Sequence, residues 1–186
     1  MAVKTFVVGE VLTSDATNTY LANSGLVFVK SQTVGTAVAS VTLLNCFNST
    51  YDNYRVVVSN VACSTSGNIY MQLADSGGTP NASALYGQAG FYQLAASALN
   101  GNWGTTGTFW EIFPVNSVSA NHGIFEIMNP NTTAYARTYM GGMSTAVHFV
   151  YNGIHQVATA FPSMKVYFPA GTMTGGTITV YGYRKE

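Results

Sequence analysis

Along most of the chain, apolar and polar residues alternate with a period of two, broken by short clusters of Asn, Ser, Gly and Pro. Successive side chains of a strand point to opposite faces, so this rhythm predicts half-buried strands. Tyr54 to Asn60 is the clearest case: Tyr54, Val56 and Val58 share one face, Arg55, Val57 and Ser59 the other. In Asn68 to Ala74, Ile69, Met71 and Leu73 share a face. Ser64-Thr65-Ser66-Gly67 between the two predicts a hairpin. Further strands are predicted at Val27–Lys30, Ala37–Leu43, Leu85–Leu94, Thr106–Pro114, Gly123–Met128, Ala134–Met140, Lys165–Phe168 and Gly176–Tyr183. Asn129-Pro130-Asn131 reads as a turn, and Asn152-Gly153 as a type I′ hairpin turn joining Ala146–Tyr151 to Gln156–Ala160. Asn100-Gly101-Asn102 reads as a polar connection that places Trp103 in a loop.

Only the opening, Phe6 to Leu26, carries a helix-start signal. Thr13, Ser14 and Asp15 can each cap exposed amides, Ala16, Tyr20 and Leu21 follow at helical spacing, and Asn23 and Gly25 supply a stop. A helix of roughly ten residues is marginal alone in water and needs a surface to pack on. The pattern therefore predicts an N-terminal arm over residues 1–26 and a single β-domain over residues 27–186. Roughly ten to eleven short strands, with long loops beside tight hairpins, predict an antiparallel β-sandwich of jelly-roll type. No fixed-period repeat points to a propeller, β-helix or fibre shaft.

Composition sharpens the picture. Charged residues make up 8% of the chain, against roughly 25% in an average soluble protein. Their place is taken by 22 Thr, 15 Ser, 15 Asn and 19 Gly, a mixture that favours strands and turns. Seven cations and seven anions give no net charge and form no basic patch, which argues against nucleic-acid binding. No apolar run approaches the ~20 residues of a transmembrane helix, and Met1–Glu10 does not read as a signal peptide. Synthesis in the cytoplasm is expected, although the surface chemistry is that of an extracellular protein. In that compartment Cys46 and Cys63 are expected to be buried, reduced packing residues.

Three stretches resemble parts of a known group. Gly9-Glu10-Val11-Leu12-Thr13, then Asp15, then Asn18-Thr19-Tyr20-Leu21, is similar to the N-terminal element of bacteriophage virion proteins of tail-associated or fibre-like type. The closing strand Gly176–Arg184 and the inner strand Thr50–Val57 are similar to strands of single-domain phage structural proteins. Residues 80 to 160 carry no such likeness. The resemblance implies a non-enzymatic structural protein of the virion, assembled in the host cytoplasm. It would be a short tail-fibre-like appendage or a capsid decoration, docked to other virion proteins through Phe6, Val11, Leu12, Tyr20 and Leu21. It also implies a homotrimer.

Chemistry is sparse. His122, His148 and His155 lack the i,i+2 or i,i+4 spacing of metal ligands, and neither a metal nor a cofactor is expected. Glu111 and Glu126 fall on successive strand candidates and are the pair a glycan hydrolase would need. More often, single acids at such positions face solvent. Trp103, flanked by Asn and Gly, is the candidate contact for a host surface glycan or a partner protein, and a carbohydrate-binding attachment module is the alternative to a purely structural role.

Overall fold

A computed structural model describes residues 7–11, 13–16, 25–94, 98–143 and 147–185. It is all-β, with two antiparallel sheets sharing one core. The thirteen strands among the described residues are β1 (Leu26–Thr33), β2 (Ser40–Leu43), β3 (Asn53–Cys63), β4 (Gly67–Ala74), β5 (Tyr86–Leu94), β6 (Leu99–Gly107), β7 (Trp110–Val115), β8 (Asn121–Met128), β9 (Ala136–Met143), β10 (Val147–His155), β11 (Ser163–Tyr167), β12 (Met173–Thr174) and β13 (Thr177–Tyr183). The larger sheet runs β1-β13-β3-β8-β9-β10-β5-β6, with β12 pairing β3; the smaller runs β2-β11-β4-β7.

The pairing has a simple order. Set aside the hairpin-like insertions β5–β6 and β9–β10 and the short β12, and eight strands remain. The first pairs with the eighth (β1 with β13), the second with the seventh (β2 with β11), the third with the sixth (β3 with β8) and the fourth with the fifth (β4 with β7). The chain is thus a long two-stranded ribbon, wound so that β13 meets β3 and β11 meets β4.

Alternation decides which side chains fill the core. Tyr54, Val56 and Val58 of β3, Phe125 and Ile127 of β8, and Ile178 and Val180 of β13 point inward from the larger sheet. Leu43, Ile69, Met71, Leu73, Met164 and Val166 meet them from the smaller one. In β7 the rhythm fails because a register shift opposite Ile69 and Tyr70 turns both Ile112 and Phe113 inward.

Several expectations are corrected. β3 and β4 are not a hairpin: each joins a different sheet, and the link between them passes over the surface from one sheet to the other. Asn152-Gly153 is not a turn but lies within β10, paired to Ala89 and Gln88 on one side and to Tyr139 and Thr138 on the other. Gly153 is needed there for space, since a Cβ would sit 2.5 Å from Trp110 Nε1 and 2.6 Å from Thr138 Cγ2. Residues 99–107 are a strand rather than a connection. Of the expected helix, a single turn at Ser14–Ala16 is described; Phe6, Leu12, Tyr20 and Leu21 lie outside the described residues. Val11 is described and 80% exposed. Cys46 and Cys63 are free and buried, and burial pushes the Cys46 thiol up to about 12.

Candidate functional site

The insertions make the larger sheet wider than the smaller one. β10, β5 and β6 therefore overhang β7, the edge strand of the smaller sheet. Three contacts tie the overhang to that edge. The Gln88 side chain of β5 accepts from the Glu111 N–H (2.8 Å) and donates to the Glu111 carbonyl (3.2 Å). The Trp110 indole N–H donates to the Gly87 carbonyl at 3.0 Å. An exposed backbone edge is thereby satisfied by side chains of the covering sheet.

Beside this seam lies a cleft of about 370 Å³. Tyr92, Asn102, Phe149 and Tyr151 form the wall on the overhang; Asn68, Glu111, Phe113 and Pro114 form the wall on the smaller sheet. The pairing of β10, β5 and β6 brings the first wall together. Tyr151 lies opposite Gly90, Gly90 opposite Asn102, and Phe149 opposite Tyr92. Gly90 lets the Tyr151 ring lie across the sheet, because a Cβ would be 2.5 Å from Tyr151 Cδ1 and 2.0 Å from the Val150 carbonyl oxygen. The Tyr151 and Asn102 side chains are hydrogen-bonded. Removal from water pushes the Glu111 carboxyl above its ordinary value, a shift opposed by a hydrogen bond from Asn68. Burial likewise raises the Tyr151 phenol, against the Asn102 bond.

The expected site residues scatter. Trp103 is 79% exposed on β6, on the face opposite Asn102. It sits by a shallow trough whose lining includes Ala89, Arg137, Asn152 and Ile154. Glu111 enters the cleft, but Glu126 points outward from β8, where it accepts from Arg55 Nε and the Tyr183 hydroxyl, each at 2.7 Å. The larger sheet separates the two carboxylates, so they do not form the pair that glycoside hydrolysis requires. Among the described residues no group of three His, Cys, Asp or Glu could hold a metal, and no helix is long and apolar enough to cross a membrane. His122 accepts from the Asn60 N–H at 3.2 Å. His155 is buried against Tyr86, Trp110 and Phe161.

The fold and cleft define an all-β module with one mixed aromatic and amide recess. Neither a family model nor a curated protein matches the chain. Among solved structures it is weakly similar to a chain described as "Structure of infectious bursal disease virus Gt strain", at 9% identity over 84% of this chain and 41% of that one. The TM-score is 0.13, too low for the likeness to bear on fold or function.

Proposed function

We propose that the chain is a non-enzymatic structural protein of a bacteriophage particle, a surface appendage or capsid decoration whose sandwich is a jelly roll. The observation that carries the reading is the winding of the eight-strand ribbon, in which first pairs with eighth through to fourth with fifth. Two wound Greek keys of this kind build viral capsid and lectin domains. Fold alone does not fix function. The particle role rests on the resemblance of Gly9–Leu21 and of the two strands to phage virion proteins, and on a chain with 8% charged residues. Low charge lets many copies crowd without mutual repulsion.

In this reading the N-terminal arm, through Phe6, Val11, Leu12, Tyr20 and Leu21, docks on other virion proteins, and the chain assembles in the host cytoplasm. Neighbouring copies, as a homotrimer, would cover the outer face of the larger sheet. That face exposes Phe91, Trp103, Ile124, Tyr139 and Val150, an apolar surface of the sort that marks an interaction site. The test is incorporation. A tagged chain lacking residues 1–25 should stay folded and soluble yet be absent from purified particles that take up the full chain. Equal uptake of both refutes the docking arm.

A further inference from the structure

The cleft under the overhang is a feature that a purely structural role does not use. Its walls combine three kinds of group. Tyr92, half-buried, offers aromatic surface beside Phe149 and Tyr151, whose rings are largely buried and floor the cleft. Asn68 and Asn102 each carry a carbonyl and an NH2 group, able to accept and donate side by side. Glu111 adds a carboxylate whose oxygens have acceptor sites beyond the bond from Asn68. The two walls come from five separate strands held at fixed register, so the constellation exists before any ligand arrives. At about 370 Å³ it falls within the roughly 300–1,000 Å³ of small-ligand sites.

We propose that this cleft, and not the Trp103 face, binds a short neutral oligosaccharide. A pyranose ring has an apolar C–H face and a rim of vicinal hydroxyls. The aromatic wall takes the first, and the amides and Glu111 take the second. An anionic sugar is disfavoured, because Glu111 would repel it and no Lys or Arg is among the described lining residues of the cleft. A planar apolar ligand would desolvate the donor and acceptor sites that Asn68, Asn102 and Glu111 keep beyond their bonds within the cleft, at a cost above what the aromatic wall returns. The cleft holds the sugar without cleaving it, since Glu111 is the one carboxylate among its described lining residues and hydrolysis needs two.

The experiment uses the full chain, free of particles, so that its outcome is independent of the virion reading. The chain is applied to a glycan array carrying neutral hexose and N-acetylhexosamine oligosaccharides beside sialylated and uronate-containing ones. The best neutral binder is then titrated by calorimetry. Binding of neutral members alone is expected, weakened about tenfold by Tyr92→Ala and about fivefold by Asn102→Ala, and unchanged by Trp103→Ala. Asn102 is exposed, so its variant keeps the fold and decides the matter if Tyr92→Ala does not. Absence of binding to every array member, binding of anionic members alone, or loss with Trp103→Ala and not with Asn102→Ala would each overturn the proposal.

Discussion

His155 gives the sharpest physical prediction. Its side chain is fully buried, its ring lies 4.2 Å from Tyr86, 5.1 Å from Phe161 and 6.2 Å from Trp110, and neither ring nitrogen has a hydrogen-bond partner among the described residues. Burial lowers its pKa from 6.5 to about 4, because the imidazolium would have to sit in an apolar box. The folded value is below the unfolded one, so below pH 6.5 the unfolded chain binds the proton first. The stability present above pH 6.5 is lost as pH falls toward about 4 and changes no further once both states are protonated. The gap corresponds to about 3 kcal/mol in full, of which about 2.5 kcal/mol is spent between about pH 7.5 and about pH 4.5. Carboxylates also titrate in this range, so the comparison must be with His155→Leu, which lacks the proton but keeps an apolar side chain. Urea unfolding followed by the fluorescence of the neighbouring Trp110 gives both curves. The wild type should lose about 2.5 kcal/mol more than the variant over that interval. At about pH 7.5 the variant should be at least as stable, since it removes two unpaired buried nitrogens. Equal acid losses in the two proteins, or an NMR titration placing His155 at its ordinary value, would refute the reasoning.

The two tryptophans should behave oppositely. Trp110, fully buried and bonded to Gly87, should cost about 3–5 kcal/mol as Trp110→Ala. Trp103→Ala should stay within about 0.5 kcal/mol of wild type in the same urea assay. Gly153→Ala pushes a methyl group into Trp110 and Thr138 and should destabilise by about 1–3 kcal/mol, read as a lower urea midpoint. Cys46 and Cys63 are free and buried, with burial raising both thiols. A thiol reagent should therefore label neither in the native protein and both in denaturant; rapid native labelling would contradict the packing.

Much of the sandwich-like framework was legible because half-buried strands write their burial into the sequence. The faces read for Tyr54, Val56 and Val58 and for Ile69, Met71 and Leu73 are the faces that the structure buries. The turn at Asn129–Asn131 does join a pair of adjacent strands. Where the reading failed, tertiary pairing outweighed local preference. Asn152-Gly153 has strong turn propensity, yet β10 runs through it between two long partners, and the glycine serves the Trp110 indole instead. Strand β6 shows no apolar alternation because it is the exposed edge of the overhang. The β3–β4 link looked like a hairpin because length and turn residues do not say which sheet the next strand joins. Of the cleft, Glu111 was singled out, but for a partnership with Glu126 that the larger sheet prevents. Asn68, Tyr92, Asn102 and Tyr151 stand far apart in the sequence, and no spacing rule connects them. Their adjacency is a product of the overhang.

The central claim is that this chain is built into a particle. Quantitative mass spectrometry of gradient-purified phage particles, from cells that encode the chain, tests it most directly. The chain is expected at a fixed multiple-copy ratio to the major particle protein, retained through the gradient. Its absence from infectious particles, with all of it recovered in the unassembled fraction, would contradict the account.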